Sequence, residues 1–135
     1  MKYMLDATAL RNIAARDTGA IKIMFRMALV GFGKIGISAI AAAEIHKAID
    51  NHKLTRFERG LLESWLNLFK IMPFDAAAAE TAGRLAAKHG RGGRTTPKPD
   101  YLIAGHAVQL GCVLVTNNTR HFAGFPGLKL EDWTA

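Results

Sequence analysis

Three carboxylates stand where an α/β protein could assemble a chemical site. Asp6 directly follows the first apolar run, Glu44 lies in an alanine-rich helical segment, and Asp100 opens another helix. Clustered carboxylates raise one another's pKa values unless a cation neutralises them. Oxygen ligands suit Mg²⁺ or Mn²⁺, and such an ion can activate water and stabilise charge on a phosphoryl group. These residue types therefore indicate phosphodiester chemistry.

Each carboxylate also has an ordinary structural explanation. Asp6 and Asp100 stand where a helix begins, and an acidic residue there caps free N–H groups and complements the helix dipole. Glu44 shares a helical stripe with Ile40. It either faces the core, where an unpaired carboxylate is costly, or lies at the edge of the stripe and pairs with Lys47 or Lys53. The residues alone leave these alternatives open.

A short polar segment follows the most apolar predicted strand, residues 112–116. It reads Thr116-Asn117-Asn118-Thr119. Short polar residues directly after a strand commonly form a turn. They could also supply oxygen ligands and bind phosphate.

Strands and helices alternate along the chain. The apolar runs predict strands at 2–5, 35–38, 71–74, 112–116 and 128–130. Helices are expected at 8–15, capped by Thr8, and at 19–29, 39–49, 56–69, 76–89 and 99–110. This alternation predicts an α/β fold, a three-layer α/β/α sandwich around a parallel sheet. Ligands of such folds bind beyond the carboxyl ends of the strands, where Asp6 and the polar segment lie.

Length and composition favour one domain, residues 1–135. The chain is 50% apolar and 21% charged, which excludes a disordered protein. Its single cysteine cannot form an internal disulfide, and no targeting segment is visible, so we expect a cytoplasmic protein. The longest charge-free apolar stretches, 27–33 and 35–43, are far shorter than the ~18 residues of a membrane span. We therefore expect no membrane association.

The charge balance favours a polyanionic partner. The net charge is +7, with 18 Lys and Arg against 11 Asp and Glu. Nucleic acid is the commonest such partner, although a basic surface can be no more than a solvated one. A separate feature, the segment 21–29, is apolar almost all round and fits either core packing or contact with a second chain.

The sequence resembles the PIN-domain family, and within it the VapC-type toxins of bacterial toxin–antitoxin pairs with their FitB-like and plasmid-stability relatives. The resemblance covers nearly the whole chain. It rests on Met4-Leu5-Asp6, on Ile37-Ser38 with Glu44, on the segments 100–107 and 114–122, and on Gly127-Leu128 with Asp132-Trp133.

This resemblance implies a Mg²⁺- or Mn²⁺-dependent endoribonuclease that cuts structured RNA, often tRNA, with a sheet of four or five strands. It also implies a homodimer that a small antitoxin protein neutralises, and binding to operator DNA only through that antitoxin.

The family pattern also assigns residues. Asp6, Glu44 and Asp100 correspond to metal-binding and catalytic acids, and Asn118 falls about where many members have a fourth acid. Thr116 matches a small hydroxyl residue that supports the site.

The basic residues near the third acid are candidates for an RNA-binding rim. They are Arg91, Arg94 and Lys98, together with Arg120 beside Asn118. Contacts of this kind follow the phosphate backbone and depend strongly on salt. The alternative for the same residues is a solvated helix end and loop.

The chain departs from the family pattern after the first acid. Members usually read Asp-Thr-Asn, whereas this chain reads Asp6-Ala7-Thr8, and Thr8 can still offer a hydroxyl. Pro99 also replaces a common aromatic residue before Asp100. These changes keep a second hypothesis open, a weakened or inactive PIN module that binds RNA or antitoxin and regulates its own operon. A third hypothesis is a module that binds or nicks DNA.

Overall fold

The computed structural model describes residues 1–51, 53–91 and 98–135, and for Arg91 and Lys98 it describes the backbone only. Within this part of the chain, five strands and seven α-helices alternate. The strands are β1 (Tyr3–Leu5), β2 (Ile35–Ser38), β3 (Lys70–Met72), β4 (Val113–Val115) and β5 (Lys129–Glu131). The helices are α1 (Ala7–Ala14), α2 (Ala20–Val30), α3 (Ala39–Ile49), α4 (Arg56–Leu68), α5 (Ala76–Arg91), α6 (Lys98–Leu110) and α7 (Thr119–Phe122).

The five strands form one parallel sheet in the order β3-β2-β1-β4-β5. The chain builds outward from β1 to β3, then crosses to the other side of β1 to add β4 and β5. The strand order therefore reverses between β1 and β4, which is where open α/β sheets bind ligands. The predicted α/β/α sandwich with a parallel sheet is confirmed.

The strand register brings three polar residues to one edge of the sheet. Leu5 pairs with Ile37 on one side and with Val115 on the other. The next residue of each strand segment is polar, namely Asp6, Ser38 and Thr116, and all three are buried. A row of buried polar residues therefore lies at the carboxyl ends of these three strands, directly after a row of apolar residues.

The core lies between the sheet and its helices. Met4, Leu5, Ile37 and Leu114 are fully buried, as expected for central strands covered on both faces. Helices α5 and α6 approach closely at Gly105, where a Cβ would overlap the backbone of Ala82. This contact fixes the helix that begins beside Asp100.

Several details differ from the sequence predictions. Asp6, not Thr8, caps α1, because its side chain accepts the Thr8 N–H. The third strand ends at Met72, short of the predicted 74, because Pro73 cannot extend the ladder, and it lies at the edge of the sheet. The helix α7 was not predicted. Among the described residues, no helix is long and apolar enough to cross a membrane.

One helix keeps a large apolar surface in contact with solvent. Within the segment 21–29, Ile23 and Met27 of α2 face the core, whereas Ile21, Phe25 and Leu29 are 83%, 63% and 65% exposed. Core packing therefore accounts for only one face of this helix.

Candidate active site

Asp6 is a buried carboxylate held by three donors. It lies at the junction of β1 and α1 and is only 3% exposed. Its Oδ1 accepts the Thr8 N–H at 3.3 Å, and its Oδ2 accepts the hydroxyls of Thr8 at 3.1 Å and Thr116 at 2.7 Å. Donors on both sides therefore satisfy the carboxylate and fix its orientation.

Thr116 connects Asp6 to the polar segment after β4. Its fully buried hydroxyl donates to Asp6 and accepts the backbone N–H of Asn118 at 3.0 Å. The hydroxyl oxygens of Thr116 and Thr8 are 3.5 Å apart. The structure thus places both threonines of the predicted supporting set directly on the first acid.

Glu44 lies on α3, which Ser38 caps by accepting the N–H of Ile40. The carboxylate is half-buried, which places it between the two sequence interpretations of a core position and an exposed edge. Its pKa is raised to about 6, first by burial and then by the negative charges of Asp6 and Asp100. The three predicted acids therefore act on one another electrostatically.

Asp100 opens α6 and carries a histidine partner. Its pKa is raised by burial and by the charge of Asp6, and is lowered by a hydrogen bond with His121. The Nδ1 of His121 lies 3.1 Å from Asp100 Oδ2. Sequence reasoning did not single out His121, although it lies only two residues beyond the polar segment after β4. Only the turn into α7 brings it to Asp100.

Asn118 immediately precedes α7 but does not cap it with its side chain. It lines a cavity of about 310 Å³ together with Thr8, Arg11, Asn12 and Asn117. This cavity borders Asp6 and its hydrogen-bond partners, because the Thr8 hydroxyl donates to Asp6 and the Asn118 N–H donates to the Thr116 hydroxyl. Asn118 is thus near Asp6 through Thr116.

A second cavity, of about 440 Å³, borders Glu44. Its lining includes Arg11, Lys47, Pro99 and Leu102. Arg11 is common to both cavities, and the charges of Arg11 and Lys47 partly offset the elevation of the Glu44 pKa. Sequence reasoning did not single out Arg11. Its position three residues after Thr8, on the same side of α1, was the available signal.

The donor types of the site fit a divalent metal ion. Asp6, Glu44 and Asp100 offer oxygen ligands. The charge of Asp6 raises the pKa values of both Glu44 and Asp100, and a bound cation relieves this repulsion. In the described part of the chain, no three His, Cys, Asp or Glu side chains converge closely enough to form a ready coordination group. The three carboxylates therefore lie near one another, but they do not form a complete coordination shell for a metal ion in the described structure.

His106 supports the site from the core. It is fully buried, and its Nδ1 shares a 2.9 Å hydrogen bond with the hydroxyl of Ser38. Its ring meets Phe74 edge-on at 5.3 Å. Burial lowers the pKa of His106, which favours the neutral ring. His106 therefore holds the residue that begins the Glu44 helix.

The predicted RNA-binding residues are only partly visible. Arg120 is exposed on α7, next to His121. Arg91 ends α5 and Lys98 begins α6, with side chains outside the described set, and Arg94 lies outside the described residues altogether. The placement of this rim stays a prediction.

Comparisons with known proteins agree with this architecture. A family model described as PIN domain matches residues 3–127. The chain is 30% identical over 134 residues to the tRNA(fMet)-specific endonuclease VapC of Shigella flexneri, and the match covers 99% of each protein.

Two solved structures are similar over almost the whole chain. One is DNA-bound VapBC from Salmonella typhimurium, with a TM-score of 0.86, 29% identity and 98% of each chain covered. The other is VapBC2 from Rickettsia felis bound to a DNA fragment from their promoter, with a TM-score of 0.86 and 28% identity, covering 98% of this chain and 99% of the other.

Proposed function

The chain belongs to the PIN-domain family, and from this premise we propose that it is an endoribonuclease toxin that cuts structured RNA, with tRNA as the first candidate. The observation that carries the proposal is the group of three electrostatically coupled carboxylates, Asp6, Glu44 and Asp100, at the carboxyl edge of the sheet. The sequence similarity to a tRNA(fMet)-specific endonuclease, which covers 99% of the chain, also supports the proposal.

We further propose that the three carboxylates hold a divalent metal ion, Mg²⁺ or Mn²⁺, with Asn118 as an additional oxygen ligand. When bound, such an ion supplies Lewis-acid stabilisation of charge on the phosphoryl group. The chain's own contribution is orientation. Thr8 and Thr116 aim the Asp6 carboxylate, and His121 holds Asp100 from the solvent side.

The altered segment after the first acid does not favour an inactive module. Ala7 is buried and offers no hydrogen-bonding side chain, but the next residue compensates. Thr8 donates to Asp6 twice, through its backbone N–H and through its hydroxyl. The first acid therefore keeps its support in a different arrangement, and the nuclease is the function we favour.

The basic surface is proposed to hold the RNA. The net charge of +7 favours a polyanion, and Arg120, two residues after Asn118, is exposed. Arg91, Arg94 and Lys98 belong to the same proposed rim. RNA affinity should then fall steeply as salt rises.

A small antitoxin protein is the proposed partner. The similar structures from Salmonella typhimurium and Rickettsia felis are VapBC assemblies with DNA. We propose that this chain is likewise neutralised by an antitoxin, forms a homodimer, and reaches operator DNA only through the antitoxin. The exposed apolar face of α2 supports contact with a second protein chain.

Cleavage of total tRNA tests the proposed nuclease function. Purified, antitoxin-free protein is incubated with tRNA in Mg²⁺, in Mn²⁺ and in EDTA, beside Asp6→Asn and the matched control Asp50→Asn. Asp50 is exposed at the end of α3, outside the carboxylate group. Discrete fragments that require metal and Asp6 but not Asp50 are expected. Cleavage by Asp6→Asn at the wild-type rate would overturn the mechanism, and tRNA binding without cleavage would favour the inactive module.

A further inference from the structure

Arg11 stands between the two cavities that flank the carboxylates. It lies on α1, five residues after Asp6. On one side it lines the cavity of about 310 Å³ with Thr8 and Asn118, and on the other the cavity of about 440 Å³ with Glu44. Among the described residues, it is the only one that lines both of these cavities.

Its guanidinium is not committed elsewhere in the described structure. Three other arginines do have a partner. Arg26 pairs with Glu131 at 2.9 Å, and Arg84 pairs with Glu80 at 2.7 Å. Arg16 lies over the ring of Phe57 at 4.1 Å. Within the described residues, the exposed Arg11 side chain forms neither a hydrogen bond nor an ion pair within 4.0 Å.

A second positive charge beside the proposed metal ion would help to hold an RNA phosphate at this place. Three carboxylates at one edge of the sheet repel the phosphodiester that they are proposed to process. An arginine presents a planar, rigid fork of N–H donors that binds two phosphate oxygens with fixed geometry, whereas a lysine ammonium acts as a point charge without that fork. Arg11 is already held by a helix that begins at Asp6, so no loop has to close to bring it to the site.

We propose that Arg11 binds the non-bridging oxygens of the RNA phosphodiester at the carboxylate site. This inference rests on the proposed nuclease function and adds to it a substrate-contacting cation that lies outside the basic rim at Arg91, Arg94, Lys98 and Arg120. Lys47, which lines only the Glu44 cavity, is expected to make a smaller contribution.

Arg11 also has a simpler explanation, and the experiment must distinguish it from phosphate binding. It stands in the last turn of α1, where a positive charge complements the helix dipole. A lysine at this position would serve the dipole equally well. A lysine would replace the two-point contact with phosphate only in part.

The test compares Arg11→Gln and Arg11→Lys with Lys22→Gln, which removes the same charge from the exposed surface of α2. Single-turnover cleavage of tRNA is measured at saturating Mn²⁺, and tRNA binding is measured in EDTA over a salt series. We expect Arg11→Gln to cut about 10²-fold more slowly and to lose about one unit of salt slope. Arg11→Lys should regain the salt slope but not the cleavage rate, and Lys22→Gln should match the wild type.

Each other outcome has a definite meaning. If Arg11→Gln cleaves and binds like the wild type while Asp6→Asn is inactive, the role of Arg11 is wrong and the nuclease stands. If Arg11→Lys restores the full cleavage rate and the melting temperature, the helix dipole explains Arg11 and the inference fails. If the wild type neither cuts nor binds RNA, the proposed function fails and this inference fails with it.

Discussion

Asp6 and Glu44 show two different ways of keeping a carboxylate in a partly apolar site. Asp6 is the more buried of the two, yet three donors reach its oxygens. Glu44 is only half-buried, but among the described residues no donor bonds to it, and its pKa is raised to about 6. Hydrogen-bond donors thus matter more than exposure for accommodating the charge. Asp6 is the fixed point of the site, and Glu44 is the group left to respond to a ligand.

A divalent cation should act mainly on Glu44, the carboxylate that lacks hydrogen-bond donors among the described residues. Binding of the proposed Mg²⁺ or Mn²⁺ ion would relieve the repulsion among Glu44, Asp100 and Asp6, so it should stabilise the fold by about 2.7 kcal/mol at 100 times the dissociation constant. Thermal unfolding with increasing metal checks this. Asp100→Asn should lose most of the gain, and the surface control Asp50→Asn should keep it. Equal stabilisation of both variants would place the metal elsewhere.

Removing a donor from Asp6 should make it resemble Glu44. Thr116→Val keeps the shape of the side chain but deletes the 2.7 Å hydrogen bond to a buried carboxylate. We expect a loss of about 2 kcal/mol in unfolding free energy, together with slower cleavage. Urea denaturation at pH 7 provides the measurement, with Thr81→Val on α5 as the matched control. A Thr116→Val protein as stable as its control would show that the donors do not decide the difference.

Neutralising Glu44 should stabilise the metal-free protein at high pH. Its pKa is about 6 in the folded state, above the ordinary 4.5, so the fold binds the proton more tightly and loses stability as pH rises from 4.5 to 6. Glu44→Gln removes this penalty. After allowance for solvent screening, we expect a gain of about 1 kcal/mol at pH 8 that disappears near pH 4.

Unfolding curves at the two pH values test the sign of this effect, with Glu63→Gln as the control for removing an exposed carboxylate. A Glu44→Gln variant that is less stable than the wild type at pH 8 would contradict the assigned direction.

The smallest expected effect concerns the partner of Asp100. His121 hydrogen-bonds this carboxylate and lowers its pKa, so His121→Ala should raise the pKa of Asp100 further. Because the histidine is exposed, the change in stability should stay within about 0.5 kcal/mol. Carbon-13 NMR titration of the Asp100 carboxyl group measures the shift, and His46→Ala on α3 is the control. A downward shift in the variant would show that the contact does not act as described.

Those parts of the fold that local pattern and position decide could be predicted from the sequence. The apolar run before Asp6 predicts a buried strand, and the register of that strand then places Asp6 and Thr116 side by side. Glu44 could not be assigned from its stripe alone, because its exposure depends on how α3 packs against α1 and α6.

The residues missed from the sequence are those whose role depends on packing between distant segments. Arg11 becomes part of the site because α1 borders both cavities. His121 meets Asp100, 21 residues away, only because α7 turns back toward α6. No local pattern predicts the contact of His121 with Asp100, because it joins side chains from two elements. For Arg11 the local signal is only its helical spacing from Thr8.

The strand register also limits where this chain can change in length during evolution. Asp6, Ser38 and Thr116 share one edge because Leu5, Ile37 and Val115 are paired across three strands. Deleting a single residue inside β4 would turn every following side chain to the opposite face of the sheet and withdraw the Thr116 hydroxyl from Asp6. Insertions and deletions should therefore accumulate in the connections between elements, such as residues 123–128 between α7 and β5, and should be rare within the strands.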